Sequence, residues 1–286
     1  MNPARATHSL WRRITAGDGR NRSRLHDRAG RRIGISRLLR NGPRAFVSGT
    51  GRLLFGWRPI CPWISYDAAR LIAARLDPHA RILEFGSGTS TIWFAQRAAE
   101  VVSVESDPDW YAKVAAMLRA RCLDNVRLRL ATAPADYPLL GEDEMGDGFD
   151  LILIDGEVRH RCAAAALTLL RRGGAIYLDN ADRGPPRGRD EPEPAVLVGP
   201  TPMARRILLA FADAHRAEIR WFTDVAPTQF FVATGLLVTL PANAEPAPIA
   251  PPDPRLPALA PAPENEFAYM TQVIAALPAP RPGLGA

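Results

Sequence analysis

The sequence predicts an α/β protein with a doubly wound, mostly parallel sheet of seven strands, helices on both faces and an antiparallel closing strand. Three observations predict it. Short apolar runs alternate with helix-length segments from about residue 64 to residue 240. A glycine turn, Gly86-Ser87-Gly88, joins the first of those runs to a helix. Acidic residues stand at the ends of later runs, with Glu105 closing the second, Asp155 following the fourth and Asp179 following the fifth.

The elements read in order as follows. Residues 81–85 (RILEF) form a strand bounded by Pro78 and Gly86, and residues 90–99 a helix. Residues 101–105 (VVSVE) are the second strand. Ser106-Asp107-Pro108 then caps a helix to about residue 122, with proline early in the helix, where its missing N–H leaves no bond unmade. Residues 126–130 make a third strand with alternating arginine, and residues 149–154 (FDLILI) a nearly all-apolar fourth. A helix over 159–172 is expected to stop at Gly173-Gly174, followed by a fifth strand at 175–178. After a loop over 181–200 rich in Pro, Gly and charge come a helix at 202–215 and closing strands at 218–224 and 229–239. This β-α-β order requires a parallel sheet covered on both sides.

Around that core the composition divides the chain into a basic arm (1–45), a domain (46–240) and a Pro/Ala-rich tail (241–286). The arm is expected to be poorly ordered apart from a short helix near 35–39. The tail is expected to carry a short helix near 266–277. Residues 1–40 hold eleven Arg against Asp18 and Asp27, a net of +9, so the rest of the chain carries about −3 of the total of +6. The basic character therefore belongs to the arm. Lys113 is the only lysine, which reads as a codon bias toward arginine. Trp11 is the only aromatic residue before Phe46, so the arm offers little stacking surface for RNA. The longest nearly apolar run, 228–240, is too short to span a membrane. Cys61, Cys122 and Cys162 are odd in number and scattered, which favours a reducing cytoplasm.

The chemistry-bearing residues gather at three places. The first is Leu83-Glu84-Phe85-Gly86-Ser87-Gly88-Thr89-Ser90-Thr91, where glycines let backbone approach a ligand and a helix N-terminus offers free N–H groups. The second is Glu105, 17 residues after Gly88, where a doubly wound fold places an acid on ribose hydroxyls. The third is Asp155-Gly156 together with Asp179-Asn180, on neighbouring strand ends.

The turn and Glu105 together resemble the class I S-adenosylmethionine-dependent methyltransferases, a Rossmann-like family, over roughly residues 64–240. The turn matches the family's acid-x-Gly-x-Gly signature, with Ser90 where a third glycine is usual. A nicotinamide dehydrogenase, the nearest rival, wants glycine where this chain has Thr91. The resemblance implies S-adenosyl-L-methionine as cofactor, held by Glu84, Phe85, Gly86, Ser87, Gly88, Thr89 and Ser90 at its methionine end. Glu105 and Ser106 would hold the ribose, Thr132 would border the adenine, and Asp155 and Gly156 would complete the edge.

Asp155 with the later Asp179-Asn180 pair further resembles the metal-dependent O-methyltransferases of the catechol and caffeoyl-CoA type. That resemblance implies Mg2+ on Asp155, Asp179 and Asn180, lowering the pKa of a substrate hydroxyl. The same acids also read as strand-end residues facing cofactor and loop. The catechol enzymes have a catalytic lysine where this chain has Val158, leaving Arg159 and His160 as neighbours. Asp155 and His160 are the candidate catalytic groups, His160 because its ordinary pKa lies near neutrality. The aromatic lead-in at 55–66, with Trp57, Trp63, Ser65 and Tyr66, is placed to cover the cofactor and shape the acceptor pocket.

O-methylation of a small-molecule or glycan-like acceptor is the function these features imply. Nitrogen, protein and RNA methylation, and a non-catalytic cofactor-binding module, are the alternatives. Against nitrogen, Pro185-Pro186 follow Gly184, so the Asn/Asp-Pro-Pro-aromatic motif of many amino-group methyltransferases is missing.

Overall fold

In the computed structural model the described residues are 23–183 and 199–243. Their sheet has seven strands: β1 (Arg81–Phe85), β2 (Glu100–Glu105), β3 (Val126–Leu130), β4 (Phe149–Ile154), β5 (Leu170–Leu178), β6 (Glu218–Val225) and β7 (Val232–Thr239). The strand order is β3-β2-β1-β4-β5-β7-β6. The first five strands are parallel, and β7 runs antiparallel between β5 and β6. The chain reverses direction across the sheet at β1 and β4, so their carboxyl ends flank the crevice where doubly wound folds bind ligands.

Sequence explains which strand sits where. Central β4 (FDLILI) is buried at five of its six residues, as a strand covered on both faces must be. Edge strand β3 (VRLRL) alternates apolar with arginine and is only partly covered. Period-two alternation sorts the core into two layers. Leu83, Phe85, Ile152, Ile154, Ile176 and Leu178 point to one face. There they meet the helices Arg159–Leu169 (α6) and Pro200–Ala214 (α7). Ile82, Val101, Leu151, Leu153, Tyr177 and Leu237 point to the other. They meet Tyr66–Arg75 (α2) and Thr89–Ala95 (α3). Pro108–Arg119 (α4) covers β2 and β3, and a short turn, Glu142–Met145 (α5), precedes β4.

Two expectations change. The helix expected over 159–172 ends at Leu169, and β5 begins at Leu170 instead of residue 175. Leu170 pairs with Phe149, the register then shifts, and Leu151 pairs with Ala175. Gly173, at φ +76°, lies within that irregular stretch, so the glycine pair bends a strand where it was expected to stop a helix.

The second change concerns the arm. Ile35–Phe55 forms a 21-residue helix (α1), so the boundary expected at residue 45 falls inside an element. Its glycines serve close approach. A Cβ on Gly49 would lie 2.6 Å from the Phe230 ring, and one on Gly51 would lie 2.7 Å from the Trp57 ring. Asn41 Nδ2 donates to Asp224 Oδ2 (2.6 Å) and Asp67 Oδ1 (3.1 Å), tying α1 to β6 and α2. Ahead of the helix, Thr234 Oγ1 donates to buried Asp27 (2.6 Å) and Thr234 N to Asp182 (3.1 Å). Asp182 also accepts from Arg28 N (2.9 Å), so residues 24–33 are fastened to β7. The expected segments at 1–22 and 266–277, and most of the expected loop over 181–200, lie outside the described residues.

Tyr177 sets a demand on its neighbour strand. A Cβ on Gly235 would stand 1.9 Å from the Tyr177 hydroxyl and 2.4 Å from its ring carbon, inside a fully buried layer. Gly235→Ala is therefore expected to lower folding stability by about 2 kcal/mol or more, read as a fall in the urea midpoint.

Candidate active site

The β1–α3 turn is built around a buried acid. Glu84 is fully enclosed, and its Oε2 accepts from Thr91 Oγ1 (2.5 Å) and Ser103 Oγ (2.9 Å). Thr91 Oγ1 in turn accepts from Gly88 N (2.9 Å), fixing the turn. The other carboxylate oxygen, Oε1, is buried with no partner. Burial raises the Glu84 pKa to about 7, against the pull of the hydroxyl donors and helped by nearby Asp155.

The two turn glycines have different reasons. Gly86 sits at φ +106°, and a Cβ there would come within 2.9 Å of Gly156 N. Gly86 is thus demanded by the loop after β4, whose Asp155 and Gly156 amides donate to the Phe85 carbonyl (3.0 and 2.7 Å). Gly88 is buried, and a Cβ there would make ordinary contact with Ser90 Oγ (3.7 Å) and Trp110 Nε1 (3.9 Å), so Trp110 lies against this stretch of backbone. The Phe85 side chain packs in the core against Tyr137, so only its backbone reaches the turn.

Glu105 reaches the same turn from β2. Its Oε2 accepts from Ser87 N (3.1 Å) and Ser87 Oγ (2.7 Å), and its Oε1 from Ser106 N (2.8 Å) and Asp107 N (3.0 Å). Thr132 is exposed just beyond Ala131, whose amide donates to the Glu105 carbonyl (2.7 Å). Two groups that sequence reasoning missed close over the turn. Trp110 Nε1 donates to the Ser87 carbonyl (2.8 Å), and the Arg58 guanidinium lies over both the Trp110 ring (5.2 Å) and the Trp63 ring (5.5 Å). Thr89 Oγ1 donates to the Cys61 carbonyl (2.9 Å), fastening the lead-in across the start of α3. Ser65 is spent capping α2 through Ala68 N (3.1 Å), and the Tyr66 hydroxyl meets Ser48 Oγ (3.3 Å).

The third cluster differs most from expectation. Asp155 and Asp179 do stand on neighbouring strand ends, but a cation of the chain itself lies between them. Arg159 donates to the carbonyls of Gly156 (3.0 Å), Asp155 (2.6 Å) and Asp179, and to Asp155 Oδ1 (2.8 Å). Asn180 presents its amide nitrogen to Asp179 Oδ2, so its side chain acts as a donor there. Among the described residues no group of three or more His, Cys, Asp or Glu is arranged to hold a metal ion. The donor set does not fit the Mg2+ expected on Asp155, Asp179 and Asn180, because Asp155 Oδ1 already accepts from a guanidinium and Asp179 Oδ2 from the Asn180 amide. Asp179 is buried, which with neighbouring Asp155 pushes its pKa well above the carboxylate range, while Arg159 and Arg183 oppose the shift.

His160 follows Arg159 in the first turn of α6 and is 4% exposed. The side chain that meets Asp155 is that of Arg159. Val158, preceding them, holds φ +36°, a left-handed conformation rare for a β-branched residue. Strain of this kind persists where the surroundings over-determine it. Here it turns the chain from the Asp155-Gly156 loop into α6, with Arg159 inward.

With the geometry described, comparison with known proteins gives three findings. A methyltransferase-domain family profile matches residues 83–181, spanning β1 to the end of β5. A search of curated proteins finds no match. Solved structures share the fold. One is a putative O-methyltransferase from Klebsiella pneumoniae: 22% identity, 71% of this chain, 100% of that chain, TM-score 0.50. Another is a cofactor-bound protein from MTB, at 23% identity over 70% of this chain and 98% of that one, TM-score 0.50. A third is the O-methyltransferase of tomaymycin synthesis from Streptomyces achromogenes, in complex with SAM. It is 19% identical over 72% of this chain and 96% of that one, TM-score 0.50. Residues 83–181 thus match a methyltransferase domain, and the mostly parallel seven-stranded sheet is that of the Rossmann-like methyltransferase fold.

Removing Arg159 leaves several carbonyls and one carboxylate without their donor. Arg159→Leu is expected to destabilise the fold by about 3 kcal/mol, measured by urea unfolding.

Proposed function

We propose that the domain transfers a methyl group from S-adenosylmethionine to a hydroxyl oxygen of a small, largely apolar acceptor, with Asp155 taking the proton and no divalent ion taking part. The observation that carries this reading is the meeting of two acids on one glycine turn, one of them with an unpartnered buried oxygen. When bound, the cofactor supplies an electrophilic methyl on a sulfonium.

This chain's residues do the holding. Glu84 Oε1 suits the cofactor's ammonium, and Gly88, which has no side chain, leaves its backbone for the methionine portion beneath Trp110, with Gly86, Ser87, Thr89 and Ser90 forming the rest of the turn. Glu105 suits the ribose hydroxyls. Its oxygens already accept four donors, so ribose would displace the Ser87 hydroxyl and leave the three amide bonds in place. Ser106 and Thr132 border the adenine side.

A groove of about 400 Å³ lined mainly by Pro43, Val47, Trp57, Pro59, Tyr66 and Pro227, with Arg44 and Ser48 also on its wall, suits the acceptor. It also includes Cys61, whose carbonyl is bonded to Thr89, so it adjoins the cofactor turn. Its apolar lining favours an aromatic or alkyl alcohol over a glycan. Asp155 Oδ1 is oriented by Arg159, leaving Oδ2 for the acceptor proton, and the Asp155 side chain is 39% exposed. Asp155 is thus more accessible than the buried His160. The neighbours described as O-methyltransferases support transfer to oxygen.

Three outcomes test this. Asp155→Asn should lower kcat about 100-fold or more while leaving cofactor Kd within a few-fold; unchanged turnover would overturn the base assignment. Chelator should leave turnover unchanged, and rescue by added Mg2+ would refute the metal-free reading. Glu84 binds an ammonium only as carboxylate, and its ligand-free pKa lies near 7. Cofactor affinity by calorimetry should therefore be full above that pH and weaken as pH falls through it, by up to about tenfold per unit. Affinity flat across that range would remove Glu84 from the site.

A further inference from the structure

Helix α1 carries an apolar face that the described residues leave mostly exposed, with Phe230 meeting only the edge of Phe46 at a centroid distance of 6.4 Å. Its inner side is small and polar, with Asn41, Ala45, Ser48 and Gly49 buried against the domain. On the other side Ile35, Leu39, Phe46 and Leu53 recur at spacings of four and seven, the period of one helix face, with Leu54 and, at the border of the acceptor groove, Val47 beside them. All six are 63–76% exposed. Phe55, the last residue of the helix, continues the surface and is 82% exposed. A stripe of this kind along a helix about 30 Å long marks an interaction surface.

The charge around the stripe is of one sign. Residues 34–58 contain Arg37, Arg40, Arg44, Arg52 and Arg58 and no acid. Residues 1–58 carry fourteen Arg against Asp18 and Asp27, a net of +12, so the remaining residues sum to −6. By helical spacing Arg40 and Arg44 flank the Val47 edge of the stripe. A second copy on this face would be paired isologously, setting these arginines near their own counterparts. A negatively charged bilayer accepts both the apolar stripe and the arginines, the combination found in helices that lie in the membrane interface.

We propose that α1 docks the domain on an anionic lipid surface, its apolar stripe in the headgroup boundary and its arginine flank on lipid phosphates. No helix among the described residues is long and apolar enough to cross a membrane, so the contact is peripheral.

Co-sedimentation of the full chain with vesicles tests this. Phosphatidylcholine vesicles containing phosphatidylglycerol should bind about tenfold or more tightly than phosphatidylcholine alone, with binding weakening as salt rises. Leu39→Glu with Leu53→Glu should reduce binding to the mixed vesicles by about tenfold or more, with the melting temperature and circular dichroism kept because both side chains face water. Should that pair disturb the fold, Arg40→Glu, also at an exposed position, should weaken binding and reduce its salt dependence. No binding of the unaltered chain to the anionic vesicles overturns the proposal. So does equal binding by folded variants. A dimer in solution that the leucine substitutions convert to monomer also overturns it, assigning the face to a second copy.

Discussion

The structure depends on the contact between Glu105 and the backbone after β1. A carboxylate on one strand tip accepts bonds from Ser87 in the neighbouring turn and from two amides in its own, so β1 and β2 end in a single rigid edge. Four donors satisfy a charge that is almost entirely enclosed, which removes the usual penalty for burying it. From that edge the other positions follow. Gly86 is pressed against Gly156, which brings in the loop after β4, and Trp110 and the 57–63 segment close over the turn. In the proposed reading, a ribose arriving here exchanges one serine hydroxyl and leaves the rest of the edge in place.

The opposite end of the crevice uses the same economy with the sign reversed. Where three oxygen ligands were expected to gather a divalent ion, Arg159 supplies a fixed positive charge and satisfies carbonyls on two strand ends at once. A guanidinium neutralises and orients carboxylates but offers no vacant coordination position for a substrate oxygen. In the proposed reaction, activation of an acceptor then falls to a carboxylate whose rotamer the arginine holds. The strained backbone of Val158 marks where the chain bends to make that possible.

The strands were legible because their code is short-range. Apolar runs such as FDLILI and VVSVE, bounded by glycine, proline or acid, state both the element and its depth in the sheet. Glu84 and Glu105 were legible because a fixed spacing ties each to the turn. Helix α1 was not, since Gly42, Pro43, Gly49 and Gly51 read as breakers in isolation. At Gly49 and Gly51 the missing side chains are explained by rings of Phe230 and Trp57, residues a linear reading cannot place. Arg159 was equally hidden: its neighbours in sequence suggest a helix start, and its partners include the Asp179 carbonyl, 20 residues away. Trp110 carried no local mark distinguishing a cover for the turn from a packing residue on α4.

The matched family segment stops at residue 181, yet the sheet does not. β7, held by Asp27 and Asp182 through Thr234, pairs along β5 from Leu178 to Ala175. Cutting the chain down to the recognised segment would strip that pairing and leave Ile176 and Leu178 on a bare, sticky border, the sort that recruits other chains. The piece that keeps this border covered therefore begins well before the glycine turn and ends after Thr239, with residues 24–33 serving as a seal.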